Sequence, residues 1–165
     1  MKRKHKITVI AVIVVFLALA GWLQYRKAHS EAVLYQAVFV ATKDGDSMIV
    51  NLDGEETEVR LIGVNTPERG TAEGDEAYAY TKGYFTRNQV IFLEFDSDKY
   101  DKYGRTLAYI WLTDMCDTGK MEEFEQYCYN AILLKNTYCE AVYYFPNGKY
   151  REWFETIAIM KNMNQ

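Results

Sequence analysis

The sequence predicts an α+β fold in which five strands close into a small OB-fold-like Greek-key β-barrel, with two to three helices and a hydrophobic segment at the N-terminus. Three observations predict it. Five extended segments follow one another along the chain, a helical segment interrupts them after the third, and further helical segments follow the fifth. Five strands with a helix inserted after the third are typical of such a barrel.

The first 30 residues are expected to lie outside this fold. Residues 1–6 are basic, and residues 7–23 form a nearly unbroken apolar run that would span about 26 Å as a helix. That length is slightly short for a bilayer core but longer than most signal-peptide cores, and Ala18-Leu19-Ala20 resembles a cleavage site, so cleavage and anchoring both stay open. The basic N-terminal flank predicts that the domain lies outside the cytoplasm, secreted or membrane-anchored. We therefore assign residues 1–30 to a signal or transmembrane anchor with a tether, and residues 31–165 to the folded domain.

The first three strands are expected to form a meander. Residues 33–40 are rich in β-branched and aromatic side chains, and residues 47–52 alternate well enough to be their partner strand. Asp53-Gly54 is a strong signal for a hairpin turn, so residues 56–62 should return as the third strand.

A helix and two more strands should follow. Residues 72–88 carry apolar and aromatic side chains at helical spacing, and residues 90–95 and 105–112 have the character of strands. The polar loop DSDKYDKYG separates those two strands. A second helix is expected over residues 121–134, and a third over residues 150–160.

Charge and histidine content limit the chemistry of the domain. Residues 1–30 hold six of the 19 Lys and Arg and no Asp or Glu, so the remaining chain carries 13 basic against 23 acidic side chains, a formal charge of −10. Such a domain is a poor general DNA-coating module, and a polyanion would have to meet a metal ion or a few focused arginines. Since His5 and His29 both precede the domain, we expect no histidine base and no zinc site. One disulfide among Cys116, Cys128 and Cys139 is plausible, but the spacing does not say which pair forms it.

Two short segments contain oxygen donors suited to a hard cation. Asp46 lies in KDGDS between the first two strands, and Asn65 and Thr66 follow the third strand in RLIGVNTPE. Pro67 restricts Thr66 to extended geometry, which would fix the direction of the Thr66 carbonyl. Both segments also have the composition of ordinary turns. Taken together, a carboxylate, an amide oxygen and a carbonyl are the ligands that Ca²⁺ accepts.

Charged side chains near these donors are suited to phosphodiester chemistry. Glu68 could activate a water, and Arg60 and Arg105 could bind the equatorial phosphate oxygens, where negative charge builds up during the reaction. Guanidinium suits this task because its planar fork stays protonated and donates two parallel hydrogen bonds.

Together with three further segments, these motifs make the chain resemble the staphylococcal nuclease (thermonuclease) family. The matching segments keep the family's order and spacing over roughly residues 32–147, and they are ATKDGDS, VRLIGVNTPE, GDEAYAYTK, DKYGRTLAYI and AVYYFPN. The resemblance implies a calcium-dependent phosphodiesterase that acts on DNA and RNA and cleaves the 5′-side P–O bond to leave 3′-phosphates. It also implies a residue set: metal ligands Asp46, Asn65 and the Thr66 carbonyl, catalytic Arg60, Glu68 and Arg105, and substrate-binding Lys102, Tyr103 and Tyr144.

Two positions depart from the family pattern. Asn65 stands where the family typically has Asp, which removes one negative charge, so we expect weaker calcium binding. Val142 stands at the position of a second substrate-contacting tyrosine, which could loosen that subsite. Lys102 could be only a solvated loop charge, and Tyr103 and Tyr144 only aromatic residues on the rim.

Several assignments for the whole protein follow as expectations. The cofactor would be Ca²⁺ and the substrates DNA and RNA, the membrane would be a partner through an uncleaved N-terminal segment, and the protein would be a monomer. The alternative is a non-catalytic OB-fold module that binds nucleic acid or protein and has a weakened metal site. An anchored interaction protein, with the cysteine-containing segment as its contact surface, is a third reading.

Overall fold

Five strands form a closed barrel in the computed structural model, which describes residue 19 and residues 32–163. The barrel strands are β1 (Leu34–Asp44), β2 (Ser47–Leu52), β3 (Glu55–Leu61), β5 (Val90–Glu94) and β6 (Thr106–Trp111). The other elements are β4 (Val64–Asn65), α1 (Ala72–Tyr84), α2 (Met121–Tyr127), α3 (Tyr129–Asn136), β7 (Glu140–Ala141) and α4 (Arg151–Met163). The α+β barrel prediction is therefore confirmed.

The strand order around the barrel is β1-β2-β3-β6-β5. β1 pairs antiparallel with both β2 and β5, β5 pairs antiparallel with β6, and β3 pairs with β6 in parallel. The parallel pair requires a long crossover, which α1 and β5 supply. The crossover brings the end of β3 beside the beginning of β6.

The predicted meander is present, with β1 extending further along the chain than expected. Its hairpin turn has positive φ angles at both Asp53 (54°) and Gly54 (92°), which is the geometry that an Asp-Gly pair favours. Val59 and Leu61 point into the barrel and are buried, so the side chain of Arg60 between them lies on the outer face.

Two helix predictions need correction. The helix predicted over residues 72–88 ends at Tyr84, because Phe85 is extended and stacks on Phe39 in the core at 5.0 Å between ring centroids. The helix predicted over residues 121–134 is two helices, α2 and α3, separated by Cys128. The backbone of Cys128 is extended and forms a bridge with Trp111, so pairing with β6 interrupts the helix.

The core fills the barrel and continues under the C-terminal helix. Inward-facing side chains from all five strands are nearly inaccessible to solvent, among them Met48, Val50, Val59, Leu61, Ile91, Leu93, Ala108 and Ile110. Helix α4 buries Phe154 and Ile157, and the Phe154 ring lies against Gly63 so closely that a Cβ there would be 2.3 Å from it. Packing of α4 therefore fixes the chain just before β4.

A small second sheet, absent from the sequence prediction, lies beside the barrel. β4 and β7 pair antiparallel, with Val64 opposite Ala141 and Asn65 opposite Glu140. Lys161 of α4 donates hydrogen bonds to the carbonyls of Thr137 and Cys139, just before β7. The C-terminal helix thus supports the strand that holds Asn65.

The predicted signal or anchor falls, except for Leu19, on residues that the structure does not describe. In the described part of the chain, no helix combines the length and the apolar character needed to cross a bilayer.

Candidate active site

Asp46 is the buried centre of the site. It sits in the turn between β1 and β2, and its Oδ2 accepts hydrogen bonds from the Thr66 N–H at 2.8 Å and the Thr66 hydroxyl at 3.0 Å. Its Oδ1 accepts none from residues 32–163. Gly45 allows this close approach, because a Cβ there would lie 2.7 Å from Thr66 Oγ1.

Arg60 connects Asp46 with the loop that follows β3. Its Nη2 lies 3.0 Å from Asp46 Oδ2 and donates to Asn65 Oδ1 at 2.8 Å, and its Nη1 donates to the carbonyls of Leu61 and Val64 at 2.9 and 2.8 Å. Both side chains of the ion pair are largely buried, at 12% and 9% exposure. Arg60 Nε has no acceptor among the described residues. The guanidinium is therefore rigidly held, with one N–H unused.

The three residues predicted to bind metal lie together, although Thr66 contacts Asp46 through its N–H and hydroxyl and not through the predicted carbonyl. The oxygens of Asp46 and Asn65 meet at a single nitrogen of Arg60, and Thr66 bonds to the same carboxylate oxygen. The positive guanidinium balances the one carboxylate, so the cluster as described carries no net charge. In residues 32–163 no group of three or more His, Cys, Asp and Glu side chains is placed to hold a metal.

The pairing of β3 with β6 indicates that Arg105, the residue just before β6, lies on the same outer face of the barrel as Arg60. In the parallel pair of β3 and β6, Arg60 is opposite Leu107, and Arg105 precedes Leu107 by two residues. Side chains two residues apart in an extended chain point to the same side. The crossover topology therefore puts both predicted catalytic arginines on one surface, on adjacent chain segments.

Asp101 holds Arg105, and this contact was not foreseen from the sequence. Arg105 Nε donates to Asp101 Oδ2 at 2.7 Å, and the backbone N–H groups of Arg105 and Tyr103 donate to Oδ1, both at 2.9 Å. Partial burial opposes ionisation of Asp101, but these hydrogen bonds outweigh it and lower the pKa of the carboxyl below its ordinary value. The available signal was the spacing of four residues between the acid and the arginine within DKYGR.

Glu68 is exposed on the loop between β4 and α1. Its carbonyl accepts hydrogen bonds from the N–H and hydroxyl of Thr71, the residue that caps α1. Its carboxylate makes no hydrogen bond or ion pair with the part of the chain that the structure describes. A solvated, unpaired carboxylate is free to accept a proton or position a water.

The predicted substrate-binding residues lie on two connected surface loops. Tyr103 and Tyr144 are 72% and 70% exposed, and the ammonium of Lys102 lies 5.0 Å from the ring centroid of Tyr103. Asn147 joins the two loops, because its side chain accepts from the Asp98 N–H at 2.7 Å and donates to the Asp98 carbonyl at 2.9 Å. The aromatic rings are therefore presented to solvent from a fixed base.

All three cysteines are free thiols, so the expected disulfide is not found. Cys139 is the one nearest to the site, since it precedes the β7 residue opposite Asn65. Burial, with the negative charge of Asp46 adding to it, raises the pKa of the Cys139 thiol to about 12. The thiol therefore stays protonated at neutral pH.

Two buried hydroxyl groups next to the site, those of Thr81 and Tyr129, were not predicted from the sequence. Thr81 of α1 donates to the Gly45 carbonyl at 2.6 Å, and the Tyr129 hydroxyl at the start of α3 donates to Thr81 Oγ1 at 2.8 Å. Thr81 lies one helical turn after the buried Ala77, on the same face of α1. A polar residue at a buried helical position was therefore the sequence signal that could have identified Thr81. No sequence signal pointed to Tyr129.

Comparison with known proteins decides the family. The family model described as "Staphylococcal nuclease homologue" matches residues 58–159. The chain belongs to the staphylococcal nuclease family. This confirms the resemblance found in the sequence.

Relatives in this family include two proteins named thermonuclease. The one from Staphylococcus intermedius is 34% identical over 151 residues, covering 88% of this chain and 82% of the relative. The one from Staphylococcus hyicus is 41% identical over 118 residues, covering 68% and 62%. An uncharacterized protein of Methanocaldococcus jannaschii is 31% identical over 126 residues, and the alignment covers 62% of this chain and 61% of the relative.

Proposed function

We propose that this protein is an exported, calcium-dependent nuclease that hydrolyses phosphodiester bonds of DNA, RNA or both, cleaving the 5′-side P–O bond to leave 3′-phosphates. Membership of the staphylococcal nuclease family makes the chain a phosphodiester-hydrolysing nuclease. The metal, the bond that is cleaved and the export are the parts that we propose.

The observation that carries the proposal is the meeting of Arg60 with Asp46 and Asn65 at one surface, with Arg105 on the same face. Glu68, exposed on the loop that follows β4, adds a carboxylate that the described residues leave unpaired. Each of these groups suits one task at a phosphodiester.

The donor chemistry fits calcium. Asp46, Asn65 and the Thr66 carbonyl would hold the ion through oxygen atoms alone, and Asp46 Oδ1 is not engaged by the described residues. A bound Ca²⁺ would supply electrostatic stabilisation of the negative charge on the phosphate. Because Arg60 already balances Asp46 and Asn65 is uncharged, affinity for the free ion should be low.

The catalytic step assigned to the protein's own groups begins at Glu68. Its carboxylate takes a proton from a water, the resulting hydroxide attacks phosphorus, and the bond from phosphorus to the 5′-oxygen breaks as that oxygen leaves and is protonated from solvent. Arg60 and Arg105 donate hydrogen bonds to the phosphate oxygens, which gain charge in the pentacoordinate transition state. Arg60 has its Nε–H free for this, but a two-pronged contact that also uses Nη2 requires it to release Asn65 or Asp46.

The two surface loops would hold the rest of the substrate. Tyr103 and Tyr144 offer exposed rings on which bases can stack, and Lys102 offers a charge for a terminal phosphate. In an acidic domain, these few focused contacts replace a general basic surface.

Export would follow from residues 1–30, whose basic start and apolar run suit a signal or membrane anchor. Residues 31–165 would then form the catalytic domain outside the cytoplasm, as a monomer. Sequencing the N-terminus of the exported protein by mass spectrometry distinguishes a cut leader from a retained anchor.

The test of function is hydrolysis of DNA and RNA by the purified protein in millimolar Ca²⁺ or in EDTA, with the ends of the products identified. We expect activity in Ca²⁺ only, and 3′-phosphate ends. Glu68→Gln and Arg105→Ala should each lower kcat by about 100-fold or more. The matched controls are Glu76→Gln and Arg87→Ala, which remove the same groups from exposed positions outside the site. Both controls should keep the kcat of the unmodified protein. Undiminished activity in Arg105→Ala would overturn the assignment.

The neutral charge of the cluster favours one rival function, a barrel that binds nucleic acid without cleaving it. A titration that shows micromolar binding of an oligonucleotide, with no product formed in Ca²⁺ over hours, would establish that rival.

A further inference from the structure

The turn that carries Asp46 is fixed from behind by two buried hydroxyl groups. Thr81 Oγ1 donates to the Gly45 carbonyl at 2.6 Å, and the Tyr129 hydroxyl donates to Thr81 Oγ1 at 2.8 Å. Thr81 and Tyr129 are completely buried. This chain of hydrogen bonds links α3 through α1 to the residue just before Asp46.

The direction of the chain follows from the number of protons. A carbonyl can only accept, so Thr81 must give its single hydroxyl proton to Gly45 and can then only accept from Tyr129. Burial raises the pKa of the Tyr129 hydroxyl, so it remains protonated and a donor at neutral pH. The arrangement therefore has one hydrogen-bonding state and cannot alternate between two.

The surroundings leave the turn no other position. Gly45 is pressed between Thr66 and helix α1, where an added Cβ would lie 2.9 Å from Thr66 Cγ2 and 3.0 Å from Ala77 Cβ. The Tyr129 ring is held in turn by Phe85 and Tyr84, at 4.5 and 4.8 Å between ring centroids. Loss of the hydroxyl at 81 would leave the Gly45 carbonyl buried without a partner, and turning that carbonyl toward another donor would rotate the peptide that leads into Asp46.

We propose that Thr81 and Tyr129 are positioning residues of the nuclease, which set the direction of the Asp46 carboxylate by holding the Gly45 carbonyl. The inference rests on the proposed function, because the orientation of Asp46 matters only if its free oxygen takes part in binding the ion. Neither residue touches the substrate.

The experiment compares Thr81→Val, Thr81→Ser and Tyr129→Phe in the full-length protein, purified in mild detergent. The control is Thr118→Val, which also removes a buried hydroxyl, but one whose partner is the N–H of Ala32. Four quantities are measured: Tm without metal, the shift of Tm with Ca²⁺ concentration, kcat and KM. Kinetics are run at least 15 °C below the lowest Tm, so that every variant is folded during the measurement.

Thr81→Val should raise the Ca²⁺ concentration at half of the maximal Tm shift by about tenfold and lower kcat by about tenfold, with KM nearly unchanged. Tyr129→Phe should have a smaller effect in the same direction, about threefold, because the bond from Thr81 to Gly45 survives. Thr81→Ser keeps the hydroxyl and should restore both quantities to within about twofold of the unmodified protein. Thr118→Val should lower Tm alone.

The inference is overturned if Thr81→Val keeps both kcat and the Ca²⁺ concentration at half of the maximal Tm shift within twofold of the unmodified protein. It is also overturned if Thr118→Val changes these two quantities as much as Thr81→Val does. If Thr81→Val does not fold, Tyr129→Phe decides by the same criteria. A wild-type protein with neither hydrolysis nor a calcium-dependent Tm shift overturns the proposed function instead, and this inference with it.

Discussion

Replacing Asn65 by aspartate tests the electrostatics of the proposed calcium site. The cluster now has one carboxylate, Asp46, matched by one guanidinium, Arg60, and Asn65 Oδ1 accepts a hydrogen bond from that guanidinium at 2.8 Å. Asn65→Asp keeps the shape and adds one negative charge. At a separation of about 4 Å and with the screening of bulk water, a unit charge and a divalent ion attract by about 2 kcal/mol, which is about 30-fold in affinity.

Water screening is the appropriate choice because Asn65 is exposed. Part of the gain goes to a stronger ion pair with Arg60, so we expect the half-saturating Ca²⁺ concentration to fall by roughly 10-fold to 30-fold. Calorimetric titration with Ca²⁺ and the calcium dependence of DNA hydrolysis both measure this half-saturating concentration. Asn88→Asp is the matched control, since it adds the same charge at an exposed position whose positive φ of 68° suits Asn and Asp alike. A change below twofold, or an equal change in the control, would refute this account of the site.

Three further predictions address the other parts of the site. Arg60→Lys keeps the charge but loses the planar fork that holds Asp46 and the neighbouring carbonyls, so kcat should fall by about 100-fold or more. Arg60→Ala should also lower the free energy of unfolding, measured with urea, by about 3 kcal/mol, because it leaves the Asp46 carboxylate buried without its cation. Asp101 has a lowered pKa in the folded state, so its ionised form stabilises the protein above about pH 4, and this advantage is lost as the pH falls through the folded-state value. The excess in Tm of the wild type over Asp101→Asn should therefore be present at pH 6 and shrink as the pH falls below about 4. An excess that does not depend on pH would contradict the ion pair. Tyr144→Ala should raise KM for single-stranded DNA by about 10-fold, the value of roughly one stacked base, with kcat and Tm unchanged, whereas Tyr138→Ala, which removes an exposed ring outside the site, should leave KM unaltered.

Much of the fold could be predicted from the sequence because its signals are local. The alternation of residues 47–52 and the Asp-Gly pair at 53 and 54 specify a hairpin through the pleat and the turn geometry, with no need of distant partners. Helix ends were harder to predict. Phe85 leaves α1 to join the core, and Cys128 leaves its helix to pair with Trp111, and both depend on contacts with residues far away in the chain.

The same division holds for the site. The sequence by itself determined which chemical groups are available: one short set of oxygen donors, two arginines, a glutamate, and no histidine within the domain. Only the tertiary structure decided how they meet. The parallel pairing of β3 with β6 puts Arg105 on the face of Arg60, and β7 with α4 behind it holds Asn65 where Arg60 can reach it. Thr81 and Tyr129 support the turn of Asp46 from 36 and 84 residues away from Gly45 in the chain, taking their positions from α1 and α3. Residue types and local spacing specify chemistry because they act within a few bonds, whereas the direction of each buried side chain depends on packing between elements that are distant in sequence.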